Sequence, residues 1–209
     1  MKKPIIVINF KTYKSGEDAL NLAKQIEKFD KNIIIGVQAT DLHSIYSLTK
    51  LPVFIQHVDS CIPGRNTGFI TPEAAYAVGA KGVFLNHSEH KVSYATLKET
   101  VKRCKKVGLK VLIFASNLRE AKKIKKLNPD YLIYEPPELV AGKVSVSNAK
   151  SDLIKKIAKK LRYVFLVGAG IKTKEDVKIA MNLGVGGIAI SSAITKAQNP
   201  IKKLKELLK

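Results

Sequence analysis

Asp130-Tyr131-Leu132-Ile133-Tyr134-Glu135-Pro136-Pro137 is a short apolar run, closed by Asn128-Pro129 on one side and Pro136-Pro137 on the other. Consecutive apolar and aromatic residues between turn formers read as a strand buried on both faces, because a half-buried strand would alternate. Glu135 then stands at the strand's end. A carboxylate held half out of water has a raised pKa and can accept a proton near neutral pH, whereas a solvated one is a weak base. Taken alone, the residue is better explained by an ion pair with one of the many lysines.

Runs of the same kind recur along the chain at Ile5 to Ile8, Ile33 to Val37, Val53 to Ile55, Val83 to Leu85, Val111 to Phe114, Tyr131 to Tyr134, Val164 to Val167 and Ile188 to Ile190. Patterns of helical period fill the intervals near 17 to 29, 41 to 49, 72 to 79, 93 to 107, 117 to 127, 148 to 161, 173 to 183 and 199 to 208. Ser15, Ser93, Asn117 and Thr173 are placed to cap helices, the last with Asp176 as an approximate capping box. Strand and helix in strict alternation imply parallel pairing through right-handed crossovers. Eight such units in 209 residues fit the small end of the (β/α)8 barrel range. No Gly-x-Gly-x-x-Gly follows the first run, which argues against an open dinucleotide-binding sheet. With no linker-like stretch, residues 1–209 are expected to form one α/β barrel domain.

A hydrophobic fraction of 45% and a mean hydropathy of −0.02 suit a water-soluble globular chain. No apolar stretch approaches the roughly 18 residues of a membrane span, so a cytoplasmic protein with no membrane partner is expected. Cys61 and Cys104 form no paired motif, which leaves a disulfide framework or thiolate zinc site without support. The net charge of +20, from 37 basic against 17 acidic residues, asks for an anionic partner, either nucleic acid or a small molecule. The lysines are spread over the helical segments and tryptophan is absent, a pattern of solvated helix faces that speaks against nucleic acid.

In a barrel of this kind the chemistry gathers where the strands end and the βα loops begin. Those positions carry Asn9-Phe10-Lys11, Asn86-His87-Ser88-Glu89, Glu135, Gly168-Ala169-Gly170 and Ser191-Ser192. Singly, each has an ordinary explanation: a loop tie, a surface lysine, a structural histidine, a turn glycine, a helix cap. Together they set a cation, an imidazole, a carboxylate and two small-residue anion cradles on one rim. That set suits proton abstraction beside the carbonyl of a phosphorylated sugar fragment, with no metal required. A different phosphate-binding barrel, such as a lyase or synthase, and a non-enzymatic nucleic-acid binder on the same scaffold are the alternatives.

Three motifs then carry a resemblance. Asn9-Phe10-Lys11, Asn86-His87-Ser88-Glu89-His90-Lys91 and Tyr134-Glu135-Pro136 resemble, in order and spacing, the N-x-K, HSE and YEP motifs of triosephosphate isomerase. The short length, with Glu135-Pro-Pro-Glu-Leu139 and Gly168-Ala-Gly-Ile171, is similar to the compact archaeal branch. The resemblance implies a cofactor-free isomerase of glycolysis and gluconeogenesis acting on triose phosphates. It implies catalytic roles for Glu135 as base, for His87 as an electrophile held neutral at a helix N-terminus, and for Lys11. Asn9 would position the substrate, and Glu89 would support the site from behind. Backbone groups near Val140 and Ala141, at Gly170 and at Ser191 and Ser192 would hold the phosphate. The family is itself the standard example of a glutamate and a histidine tuned in this way.

The chain departs from the family pattern where Ala141-Gly142-Lys143 stands for Gly-Thr-Gly in the lid, and where Ser191-Ser192 stands for two glycines. Short helices near 41 to 49 and 72 to 79 bear on the usual subunit contacts. Thr67-Gly68 resembles the loop that enters a neighbouring subunit, so the resemblance implies a homo-oligomer, a dimer or a tetramer.

Overall fold

A computed structural model describes residues 4–136, 151–168 and 170–208. The strands are β1 Ile5–Asn9, β2 Ile34–Val37, β3 Val53–Ile55, β4 Gly82–Leu85, β5 Lys110–Ala115, β6 Tyr131–Tyr134, β7 Leu166–Val167 and β8 Gly187–Ile190. All pairs are parallel, and β8 returns to β1 through Ile5↔Gly187, Ile6↔Ile188, Val7↔Ala189 and Ile8↔Ile190, closing the barrel. The alternating apolar and amphipathic segments therefore form a (β/α)8 barrel, as the sequence implies.

The side-chain period of two divides each strand between two cores. Val7, Ile34, Phe54, Phe84, Leu112, Phe114, Ile133, Leu166 and Ala189 point inward and fill the barrel. Their neighbours Ile6, Ile8, Ile35, Val53, Val111, Ile113, Leu132 and Ile188 point outward into a larger layer shared with the helices. Three phenylalanines from consecutive strands stack up the interior, with centroids 5.9 Å apart for Phe54–Phe84 and 5.5 Å for Phe84–Phe114. They fit because the facing positions are small. A Cβ on Gly36 would lie 1.9 Å from the Phe84 ring, so bulk on β4 demands its absence on β2.

Among the described residues the helices are α1 Gly16–Phe29, α2 Ala39–Leu48, α3 Pro72–Ala77, α4 Tyr94–Lys106, α5 Leu118–Lys125, α6 Ser151–Leu161, α7 Lys174–Asn182, α8 Ser192–Thr195 and α9 Pro200–Leu208. Ser93, Asn117 and Thr173 cap as the sequence suggests, and Thr173 with Asp176 forms the reciprocal box. Ser15 does not. It holds the N-cap position with no side-chain bond, and the orphan N–H of Gly16 donates to Asp41 Oδ1 at 2.8 Å instead. A buried carboxylate from α2 gives a charge-assisted bond that outcompetes a neutral hydroxyl and ties the first two βα units together. The four-residue α8 escapes a periodicity reading because it is a single turn. Strand β7 is shorter than its apolar run, since Val164 is 67% exposed and lies before the ladder begins. No helix among the described residues is long and apolar enough to cross a membrane.

Candidate active site

Strand parity explains which side chains reach the barrel mouth. Continuing the inward face of each strand by two residues leads from Val7 to Asn9, from Ile133 to Glu135, from Leu166 to Gly168 and from Ala189 to Ser191. Glu135 remains in register, its N–H donating to Ala115 O at 2.9 Å, so the last ladder bond of the sheet aims the carboxylate. The side chain is only 12% exposed. A Cβ on Gly168 would stand 2.5 Å from Glu135 Cγ and 2.6 Å from its Oε1. Gly168 thus makes the space the carboxylate occupies, a role beyond turn geometry.

His87 arrives differently. Asn86 takes the left-handed backbone conformation, φ 60°, and turns the chain after β4 so that the next residue faces the mouth. The His87 ring stands edge-on to Phe114, at 4.7 Å and 80°, on top of the phenylalanine stack. Its Nδ1 accepts the Glu89 N–H at 3.1 Å, which leaves the proton of the neutral ring on Nε2. Nε2 lies 3.5 Å from Glu135 Oε2. The N–H that fixes this tautomer comes from a tight turn, His90 N–H to His87 O at 2.9 Å, and not from a helix N-terminus as the resemblance implies. The helix that follows starts only at Tyr94.

Burial acts on the two groups in opposite directions. It pushes the Glu135 carboxyl up to about 7, with the Glu89 charge adding to it and Lys11 and Lys91 pulling back. Burial, then Lys11 and Lys91, hold His87 down at about 4 against the pull of Glu89. Both directions follow from taking a charge out of water. Between these values a neutral imidazole faces a carboxyl poised to gain or lose a proton near neutrality.

Lys11, also at positive φ, extends its Nζ to 2.6 Å from Glu89 Oε1. Glu89 is 61% exposed, so it stands at the rim and pairs directly with the lysine, in place of the backing position the resemblance suggests. Asn9 is buried, and its Oδ1 accepts the Lys11 N–H at 2.9 Å. Gln56 is a further contributor. Its Nε2 reaches Asn9 Oδ1 at 3.2 Å, Lys11 O at 2.9 Å and Gly36 O at 3.2 Å, pinning the lysine loop. It follows β3 directly, so the strand-end rule that selects Asn9 and Glu135 also marks it.

On the far side, Gly170 adopts φ 78°, and Ser191 Oγ is buried with no hydrogen-bond partner among the described residues. A buried hydroxyl without a partner is costly, and here it lies at the mouth where an anion would satisfy it. Ser192 opens α8 just beyond. Val140, Ala141 and the rest of the Ala141-Gly142-Lys143 segment lie outside the described residues. Asn9, Lys11, Gln56, His57, His87, Glu89 and His90 line a cavity of about 360 Å³ at this mouth. A larger cleft, about 860 Å³, opens beside Asp30, Lys50, Lys81 and Lys110, remote from the acid–base pair. Among the described residues no cluster of three or more His, Cys, Asp or Glu could hold a metal ion.

The family model for triosephosphate isomerase matches residues 4–207. The chain belongs to the triosephosphate isomerase family. It is similar, at 39% identity over 100% of this chain and 96% of the relative, to the triosephosphate isomerase of Saccharolobus solfataricus. The enzyme of Methanocaldococcus jannaschii is 37% identical over 98% and 99% of the two chains. That of Metallosphaera sedula is 40% identical over 98% and 94%. The family is one of isomerases, and these three relatives match 98–100% of this chain.

Proposed function

We propose that the chain interconverts dihydroxyacetone phosphate and D-glyceraldehyde 3-phosphate through an enediolate, without cofactor, as a step of glycolysis and gluconeogenesis. The observation that carries this reading is the pair at the mouth: a buried carboxyl with a pKa near 7, 3.5 Å from the Nε2 of an imidazole held neutral. Glu135 removes a proton from the carbon next to the carbonyl, and the electron pair moves onto the carbonyl oxygen. The Nε2–H of His87 donates to that oxygen, and the Lys11 ammonium stabilises the developing charge. His87 passes its Nε2 proton to that oxygen and takes the proton of the neighbouring hydroxyl, while Glu135, now neutral, returns its proton to the adjacent carbon, so both groups end as they began.

Asn9 positions the substrate, with Gln56 holding it and the Lys11 loop in place. The phosphate is bound by backbone groups at Gly170, Ser191 and Ser192, by the Ser191 hydroxyl, and by backbone groups near Val140 and Ala141. Tyr13, Ile62 and Phe69, exposed by 43%, 67% and 59% on the loops after β1 and β3, support a homo-oligomer built on this end of the barrel. A coupled assay with glyceraldehyde 3-phosphate tests the reading. Turnover by the wild type and its loss in Glu135→Gln and His87→Gln is expected, whereas equal turnover by Glu135→Gln would remove the base from the mechanism.

A further inference from the structure

Behind the His87 turn lies a polar network that the reaction does not use. Asn86, 2% exposed, donates through Nδ2 to Phe114 O at 2.9 Å and to Glu120 Oε1 at 2.7 Å. Its Oδ1 accepts the Val92 N–H at 3.4 Å, so one side chain spans the neck of the 86–92 loop. Lys91, near the other end of that loop, donates to Glu120 Oε1 at 2.9 Å and Oε2 at 3.1 Å. Glu120 itself is fixed in the first turn of α5. Its N–H donates to Asn117 Oδ1 at 2.9 Å, and its Oε2 takes the Ser116 N–H at 2.6 Å. Both ends of the loop that carries His87 and Glu89 thus converge on a single carboxylate.

Burial opposes ionisation of Glu120, but the bonds from Lys91, Ser116 and Asn86 outweigh it and hold the carboxyl below its ordinary value. The charge persists at neutral pH, and a helix N-terminus suits it. None of these bonds goes to His87, Lys11 or Glu135. The network's effect on them passes through Asn86, whose left-handed backbone is the hinge that points His87 inward. Outside glycine such a conformation is uncommon, and it persists where surrounding contacts over-determine it. Here the contacts are the three hydrogen bonds of the Asn86 side chain.

We infer that Glu120 is a positioning residue for the reaction: through Asn86 and Lys91 it clamps the 86–92 loop, keeping the His87 ring on Phe114 with Nδ1 on the Glu89 N–H and Nε2–H directed at Glu135. The inference rests on the role given to His87 above. A strut that only stabilised the fold would leave the state of the ring unchanged, and the clamp would not.

The test is 15N NMR of histidine-labelled full-length protein, wild type against Glu120→Ala, together with steady-state kinetics. In the wild type His87 is expected as a single Nε2–H tautomer from pH 8 to about 5, consistent with a pKa of about 4. In Glu120→Ala the tautomers mix, the ring titrates closer to 6.5, and kcat falls about 10²-fold, the scale of a misplacement of about 1 Å, with KM little changed. Glu120→Gln keeps an acceptor for Asn86 and falls between the two. Asn86→Gly, which accepts the backbone angle and removes the clamp, reproduces the effect and decides the matter even if Glu120→Ala does not fold. A lowered melting temperature with wild-type kcat and an unmixed tautomer in both variants would overturn the inference. Absence of isomerase activity in the wild type would instead defeat the proposed function, and the tautomer arm would still decide the clamp.

Discussion

Replacing Glu135 with glutamine should make the protein more stable as it destroys activity, and the gain should depend on pH. The carboxyl's pKa rises from an ordinary 4.5 to about 7 on folding. A raised carboxyl pKa means that the folded state holds the proton more tightly than the unfolded chain. Its contribution is therefore unchanged below pH 4.5, worsens as pH rises, and levels off above 7. At 1.36 kcal/mol per unit, the full penalty is about 3 kcal/mol. Glutamine has nearly the same shape and no charge to desolvate, so the variant avoids it. Urea unfolding at pH 4.5, 6 and 8 should give a stability difference that grows from near zero to about 3 kcal/mol in favour of the variant. At pH 8 that corresponds to a melting point higher by roughly 6–12 °C for a chain of this size. His87 runs the other way, since its pKa is lowered on folding to about 4 and its stability is lost as pH falls below 6.5. That loss is confined to pH below 6.5, so the growth of the difference between pH 6.5 and 8 reports Glu135 alone. A gain independent of pH, or a destabilised variant at pH 8, would refute the claim that Glu135 is held out of water at a cost. The kinetic arm is a fall in kcat of about 10³-fold, within the range for a general base.

The same pKa sets the acid limb of kcat/KM for the free enzyme, expected to bend near pH 7; a bend near 4.5 would mean a solvated base. Gly168→Ala places a methyl group 2.5 Å from Glu135 Cγ, so it should displace the base and lower kcat by about 10²-fold while KM changes less. Full activity would show that the carboxylate has room to spare. Gln56→Leu removes the two bonds holding Asn9 and the Lys11 loop and a third to Gly36 O, and should raise KM and cost about 1–3 kcal/mol by chemical denaturation. With a net charge of +20 attracting a dianionic substrate, kcat/KM should fall as salt rises, and a flat salt profile would count against steering.

Much of the architecture is legible in the chain because its signals are local. A run such as Val111 to Phe114 is apolar at every position, so it needs cover on both faces, and the amphipathic segments on either side supply it. Strand parity is equally local: once Val7, Ile133 and Ala189 face inward, Asn9, Glu135 and Ser191 follow at the mouth. Capping is legible where the partner is a few residues away, as for Thr173 with Asp176, and fails for Ser15, whose helix is capped by Asp41 from the next unit. His87 breaks parity, because a single positive φ at Asn86 resets it, and hydrophobic periodicity carries no trace of that angle.

The residue types of the site, their order along the chain and their place at strand ends belong to the sequence alone. So do the closed count of eight units and the family. Tertiary structure decides what those residues are. Only the closing of the barrel brings Glu135 to within 3.5 Å of His87. Only burial separates their pKa values to about 7 and about 4. Only the convergence of two loops on Glu120 reveals a side chain with no motif of its own. Composition and spacing record which groups are present, while proton affinity depends on distance and on the loss of water, and both exist only once the chain has folded.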